Sequence, residues 1–293
     1  SRNLPEALEF VRGLDATDPT LERRVEDGKK RFSGFELTGR TLGVIGLGRI
    51  GALVAHAAIE LGMDVVGYDP EITVDAAWSL SSSVRRAGSV AELLKASEFV
   101  SLHVPLLEAT RNLIDARCIE LMRRGAVLMN FSREGIVDDV AAVSALDGGH
   151  LSRYVCDFPN PKIHGHPRTI ALPHLGASTT EAEDNCASMV AEQLRDYLEN
   201  GNVRNSVNFP LAVMPRSSAW RLAIVNANVP NMLGQISTAM AEAGLNIDEM
   251  LNKSRGDIAY TIVDSSQPVP ESVIARLRAI DGVLRVRYLA PPA

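Results

Sequence analysis

The chain has 293 residues, enough for two domains of ordinary size. Apolar residues make up 46% of it, which suffices for globular cores. A net charge of −6, with both signs interspersed, excludes the broad basic face of a general nucleic-acid binder.

Cys118, Cys156 and Cys186 are odd in number and form no C-x-x-C pair, so reduced thiols are expected. No apolar run reaches the roughly 18 residues of a membrane helix. Ser1-Arg2-Asn3-Leu4 does not open a signal peptide, so a soluble cytoplasmic protein is expected.

In chain order, residues 5–13 read as a short helix end and 16–34 as charged surface. Thr41–Ile45 is an apolar strand running into glycines. Ile50, Val54, Ala57, Ala58 and Leu61 then recur at helical spacing over 49–62. Residues 65–68 form the next strand, ending at Asp69-Pro70. Helices are predicted at 90–94, 116–123 and 138–147, and strands at 99–102, 126–129, 153–156 and 169–172. This alternation predicts an α/β fold of the Rossmann type, a doubly wound parallel sheet occupying residues 1–179.

Residues 180–200 carry an amphipathic helical pattern. Thr180 is its expected N-cap, with Glu183 at capping-box spacing, and Gly201 its stop. Residues 202–217 are rich in Asn, Pro and Ser and read as a linker. The tail, 218–293, has its own rhythm: strands at 221–227, 247–253, 258–263 and 283–288, and helices at 232–243 and 270–279. The order βαββαβ, with a turn at 254–257, is the ferredoxin-like plan.

Gly46-Leu47-Gly48-Arg49-Ile50-Gly51 matches G-x-G-x-x-G between a predicted strand and a predicted helix, the context the dinucleotide fingerprint requires. Gly46 permits the tight turn, Gly48 the approach of a pyrophosphate and Gly51 close helix–strand packing. The helix N-terminus offers free N–H groups to the phosphates. Asp69, ending the next strand, would accept from the ribose hydroxyls and repel a 2′-phosphate, so NAD is the expected cofactor rather than NADP.

Two polar clusters follow later strands, where ligands bind in open α/β sheets. One is Asn130-Phe131-Ser132-Arg133-Glu134-Gly135, the other Pro173-His174-Leu175-Gly176-Ala177. An arginine fork suits a carboxylate, and a histidine can exchange a proton with a carbinol oxygen. Arg133 and His174 are therefore the candidate catalytic pair. His56, His150, His164 and His166 lack metal-ligand spacing and no metal is expected; Lys29-Lys30-Arg31 reads as a solvated run.

The strings GLGRIG, Tyr68-Asp69-Pro70, Leu102-His103-Val104-Pro105, NFSREGIVD and PHLGAS resemble the D-2-hydroxyacid dehydrogenase family. Ser206-Val207-Asn208-Phe209-Pro210 and the tail resemble its branch that oxidises 3-phosphoglycerate at the entry to L-serine synthesis and carries a C-terminal ACT regulatory domain. The resemblance implies that Arg133 binds the carboxylate of 3-phosphoglycerate or a similar small 2-hydroxy acid, and that His174 donates or accepts the proton. It further implies an NAD site lined by Arg49, Ile50, Asp69, Phe131, Ser132, Arg133, Asp157, His174, Leu175, Gly176 and Ala177. Asn226, Asn228 and Asn246 would hold an amino-acid effector such as L-serine, and the protein would be a homo-oligomer, dimer or tetramer. A glyoxylate or hydroxypyruvate reductase, or a non-catalytic NAD- and amino-acid-binding sensor, are the alternative readings.

The chain departs from the family at several points. Glu134 stands where the family has glycine. The D-x-F-x-x-E-P string that supplies a glutamate to the histidine reads Cys156-Asp157-Phe158-Pro159-Asn160-Pro161-Lys162, so Asn160 or Lys162 falls near its place. In the tail, Asn226 replaces a histidine and Pro230-Asn231 a Pro-Gly. Family members also begin further upstream. The helix at 180–201 is thus expected to belong to a substrate domain lying mostly outside this chain, which alone would bind NAD but turn over weakly.

Overall fold

The run Leu42-Gly43-Val44-Ile45 is too apolar to leave either face in water, and it forms the middle of a sheet covered on both sides. The computed structural model describes residues 1–291, divided after Gly176 into two units. The first begins with α1 (Leu4–Arg12) and α2 (Leu21–Gly28). It continues through β1 (Thr41–Ile45), α3 (Arg49–Glu60), β2 (Asp64–Tyr68), α4 (Val74–Ser79), β3 (Val84–Arg86), α5 (Val90–Ala96) and β4 (Phe99–Leu102). It closes with α6 (Ala116–Leu121), β5 (Ala126–Asn130), α7 (Asp139–Asp147), β6 (Leu151–Cys156) and β7 (Thr169–Ala171).

All seven strands are parallel, in the order β3-β2-β1-β4-β5-β6-β7. One layer packs Leu42, Val44, Ala55, Ala58 and Val65 together. The other packs Ile45, Leu93, Leu102, Leu128 and Leu146. The strand order reverses between β1 and β4, the place where a doubly wound sheet opens a crevice outside the carboxyl ends of its strands.

Three elements escaped the sequence reading. β3 has three residues, two of them arginine, and lies at the sheet edge, where charge is favoured and alternation cannot show. α4 spans six residues and is capped by Thr73, whose hydroxyl accepts from the Ala76 amide. α2 falls in the stretch read as charged surface. Its one buried residue is Gly28, where any side chain would collide with the Phe10 ring. Arg31 is not simply solvated: its guanidinium lies 4.4 Å above Phe10 and 5.5 Å from Phe32.

The second unit starts with α8 (Thr180–Asn200). Thr179, not Thr180, is its N-cap: its backbone is extended and its hydroxyl accepts from the Ala182 amide. Gly201 ends it at φ 72°, as expected of a left-handed stop. Next come β8 (Trp220–Ala227), α9 (Met232–Glu242), β9 (Glu249–Arg255), β10 (Ile258–Ser265), α10 (Glu271–Arg278) and β11 (Val283–Leu289). They build an antiparallel sheet in the order β11-β8-β10-β9, the ferredoxin-like arrangement. Leu222, Ile224 and Val263 face Ile236, Met240, Ile274 and Leu277.

The segment 202–217 is not a free linker. Val203, Ala212 and Met214 are buried against Ala223, Tyr260 and Ile262 on the sheet face opposite α9 and α10. Arg221 on β8 and Asp264 on β10 are both 0% exposed and form a two-pronged pair, Nε–Oδ1 2.5 Å and Nη2–Oδ2 2.7 Å. Arg221 also donates to the carbonyls of Asn200, Met214 and Pro215. Ser217 donates to Asp264 through both its amide and its hydroxyl. The pair thus ties the end of α8 and the segment after it to the sheet. No helix among the described residues is long and apolar enough to cross a membrane.

Burial alone would raise the Asp264 carboxyl, but hydrogen bonds from Arg221 and Ser217 outweigh it and hold it below the usual range. Its stabilisation is complete above the unfolded carboxyl pKa, about 4, and is lost as the pH falls through the lower folded value. Asp264→Asn leaves a buried guanidinium without its counter-charge and should cost the second unit about 3–5 kcal/mol. Denaturant titration followed by near-UV circular dichroism checks this; a cost below about 1 kcal/mol would show the pair to be dispensable.

Candidate active site

The chain leaves β1 through Gly46, whose φ of +89° no ordinary side chain tolerates well. The Gly46 amide donates to Tyr68 O, and Leu47 donates to Asp69 Oδ2 at 2.8 Å. The Glu71 amide donates to the other Asp69 oxygen at 2.9 Å, so the carboxylate is clamped at the end of β2 beside the turn. Each oxygen keeps a further lone pair for a donor from outside. A side chain on Gly51 would collide with the Gly46 carbonyl, whereas one on Gly48 would meet no protein atom within 4 Å. Gly51 therefore serves packing, and Gly48 leaves space at the first turn of α3. Arg49 and Ile50 are exposed on that turn, whose amides have no carbonyl partner within the helix.

β4 ends one strand away. The His103 amide donates to Ile45 O, and its ring Nε2 lies 2.8 Å from Ser101 Oγ. Nδ1 is buried without a hydrogen-bond partner, and burial pushes the imidazole pKa down to about 4. The one signal of this contact in the sequence is the two-residue spacing of His103 from Ser101 at the end of a strand.

The loop after β5 is built on Asn130. Its Oδ1 accepts from the Ser132 amide and its Nδ2 donates to Arg133 O. The Ser132 hydroxyl donates to Leu102 O at 2.6 Å and accepts from the Val104 amide, joining this loop to the one after β4. Ser132 is buried and its hydroxyl fully engaged, so the residue sets the loop's position rather than presenting a hydroxyl to the cofactor. Phe131 and Arg133 are exposed beside it.

Arg133 and His174 come from loops far apart in sequence, yet both rest on one ring. The Phe158 centroid lies 4.7 Å from the His174 ring and 5.7 Å from the Arg133 guanidinium carbon. Arg133 Nη1 donates to its neighbour Ser132 O, leaving Nη2 and Nε for another acceptor. Asp157, between Cys156 and Phe158, has its Oδ1 buried and unpartnered. Leu175 and Gly176 follow His174 in an exposed stretch, and Ala177 already belongs to the second unit.

Behind this group runs a polar chain that sequence reading missed. Tyr154 donates to Asp139 Oδ1 at 3.3 Å. Asn160 Nδ2 donates to Asp139 Oδ2 at 2.6 Å and to Glu134 Oε1 at 3.3 Å. Burial and the Asp139 charge push the Tyr154 hydroxyl well above its ordinary value, so it stays a donor. Asn160 is thus bonded to two carboxylates and not to His174.

In the second unit Asn226 and Asn228 share one end of the sheet, and Asn246 lies toward the other. Asn226 is buried, donates to Ala227 O and accepts from the Thr261 hydroxyl. Asn228 donates to Gly256 O, at the end of the sheet where β10 begins. Asn246 contacts Asp248, whose amide donates to Asp264 O near the other end of β10. Asn231 adopts φ 69°, supplying the left-handed turn for which glycine is the usual choice. Among the described residues no cluster of His, Cys, Asp or Glu could hold a metal ion.

Residues 5–176 match the family model described as the NAD binding domain of D-isomer specific 2-hydroxyacid dehydrogenases. Over 297 residues the chain is 33% identical to D-3-phosphoglycerate dehydrogenase of Escherichia coli, covering 97% of this chain and 71% of that one. A glyoxylate reductase from Paecilomyes thermophila superposes with a TM-score of 0.57 at 27% identity, over 70% of this chain and 62% of that one. A D-lactate dehydrogenase from Aquifex aeolicus, complexed with NAD and lactic acid, gives 0.52 at 25%, over 66% and 65%. The residues present fit NAD: open space at Gly48, the first-turn amides of α3, the clamped carboxylate of Asp69 and the unpartnered Oδ1 of Asp157.

The two glycines make separable predictions. Gly48→Ala should leave stability within about 0.5 kcal/mol yet weaken NADH binding at least tenfold in a fluorescence titration. Gly51→Ala should lower stability as well as affinity. Equal NADH affinity in Gly48→Ala would remove the dinucleotide from this turn. A second prediction concerns His103. Its folded pKa of about 4 lies below the unfolded value, so the unfolded state binds more protons and the first unit loses stability as pH falls from about 6.5 toward 4. Denaturation midpoints across that window should flatten in His103→Asn.

Proposed function

Because this chain belongs to the D-isomer specific 2-hydroxyacid dehydrogenase family, we propose that it oxidises 3-phospho-D-glycerate to 3-phosphohydroxypyruvate with NAD as hydride acceptor. The observation that carries the chemistry is the sharing of the Phe158 ring by Arg133 and His174. The substrate assignment is supported by 33% identity, over nearly the whole chain, to the Escherichia coli enzyme named for phosphoglycerate. The reaction would open the route to L-serine.

The free Nη2 and Nε of Arg133 receive the substrate carboxylate as a fork, with charge-assisted bonds that fix the adjacent carbon in place. His174, against the same ring, takes the proton of the C2 hydroxyl, a role suited to an imidazole near neutral pH. NAD supplies the hydride acceptor. The first-turn amides of α3 would hold its pyrophosphate, and Asp69 would receive the ribose hydroxyls and repel a 2′-phosphate.

An L-serine effector bound by Asn226, Asn228 and Asn246 would have to bridge two copies of the chain. One chain sets Asn228 and Asn246 at opposite ends of its sheet. Titrating L-serine while following the rate and the sedimentation coefficient tests this reading.

His174→Gln should lower kcat by roughly 10²–10⁴ with little change in KM. Arg133→Gln should lower kcat/KM for the acid roughly ten- to hundredfold, the value of one or two charge-assisted bonds. NADH absorbance with 3-phospho-D-glycerate, and NADH consumption with glyoxylate or hydroxypyruvate, provide the measurement. A kcat/KM higher for glyoxylate would overturn the substrate assignment, and NADH binding without turnover of any 2-hydroxy acid would overturn the enzyme.

A further inference from the structure

The dinucleotide turn, Arg133 and His174 all follow carboxyl ends of strands in the parallel sheet. The opposite edge of the same sheet holds a cavity of about 350 Å³ beside the starts of β4, β5 and β6. That volume falls in the range of small-ligand sites, roughly 300–1,000 Å³. One side of the cavity is apolar. Phe35 is 38% exposed, and its ring centroid lies 5.8 Å from that of the buried Phe99.

The other side is basic. The Arg40 guanidinium covers Phe35 at 4.5 Å from the ring centroid, donates to Glu36 O through Nε and reaches Glu98 Oε1 through Nη1 at 2.7 Å. Glu98 Oε2 accepts from the Thr41 amide, so this carboxylate is fixed in place and offsets the charge of Arg40. Arg123 and Arg124, in the turn before β5, have no such partner. Arg123 Nε donates to Lys95 O, which leaves its two terminal nitrogens for another acceptor. Among the described residues no carboxylate lies within ion-pair distance of either guanidinium. A side chain on Gly125, the next residue, would meet no protein atom within 4 Å, so the space beside the pair stays open. In a chain of net charge −6 this is a local reversal of sign, and it draws anions that the rest of the surface repels.

Two surface arginines alone hold any anion weakly. The rings beside them add a demand for apolar area, which a planar ring meets by stacking offset or edge-to-face. A phosphomonoester matches the charge, being mostly dianionic near neutral pH and bringing three acceptor oxygens to the free guanidinium nitrogens. We propose that this cavity binds a small aromatic phosphomonoester, its ring against Phe35 and Phe99 and its phosphate on Arg123 and Arg124. The site lies at the other edge of the sheet from the crevice that the dehydrogenase reading uses, so it stands without that reading, and an occupant leaves the dinucleotide turn free.

Calorimetric titration of the full chain with phenyl phosphate, in the presence of saturating NADH, tests the site. One equivalent should bind. Inorganic phosphate should bind roughly five- to tenfold more weakly, for want of the aromatic contact. Arg124→Ala, at an exposed position, should weaken phenyl phosphate roughly tenfold or more, the value of a charge-assisted bond, and leave NADH affinity unchanged. Arg124→Lys should keep part of the affinity, and Phe35→Leu should bring phenyl phosphate down to the level of inorganic phosphate. Equal affinities for the two phosphates in the unaltered chain would overturn the proposal, because charge alone would then account for the binding. Full affinity in Arg124→Ala would overturn it too, as would displacement of phenyl phosphate by NADH, which places the ligand at the carboxyl edge. The Arg124 variants keep the answer readable even if Phe35→Leu fails to fold.

Discussion

β1 lies between β2 and β4, and the geometry of the site follows from that one fact. The chain leaves β1 in one direction to build β2 and β3, then returns to build β4 to β7 on the other side. At the reversal the connections part, and parallel strands present all their carboxyl ends on the same edge. Gly48, His103, Arg133, Asp157 and His174 each follow a different strand, yet they belong to one rim. With an unreversed order the same residues would sit under crossover helices.

The rim is held from below by polar bonds that are nearly all mutual. Ser132 joins the loops after β4 and β5, Asn130 shapes the turn bearing Arg133, and Asn160 joins Asp139 to Glu134. Each such bond is worth only about 1 kcal/mol net. Breaking one, however, strands a partly buried partner, so the network is more restrictive than its sum suggests. Two of the buried unpartnered atoms, His103 Nδ1 and Asp157 Oδ1, follow the carboxyl ends of β4 and β6 on this rim.

In the second unit a different device sets the geometry. A buried ion pair is weak evidence for net stability, since desolvation offsets much of its attraction. Arg221 and Asp264 instead decide which segments meet. The guanidinium engages Asp264 and three carbonyls, from the end of α8 and from the segment after it, and Ser217 completes the carboxylate. One face of the sheet is thereby covered by chain that precedes it, while α9 and α10 cover the other.

Local pattern was enough to place most strands and helices, because buried parallel strands are apolar on both faces and amphipathic helices repeat every 3.6 residues. It made the glycine turn and Asp69 legible, because the motif sits between a predicted strand and a predicted helix with an acid ending the next strand. It could not separate Thr179 from Thr180 as a cap, since either hydroxyl could serve, nor see β3 or α4, too short to carry a period. The alternation, the fingerprint and the two candidate catalytic side chains were all legible in the residues before any contact was known. That Phe158 brings Arg133 and His174 together, that 202–217 packs on a sheet, and that Asn246 lies at the far end of the sheet from Asn226 and Asn228 became visible in the folded chain alone. Those are contacts between residues distant in the chain, and periodicity carries no information about which loops will meet.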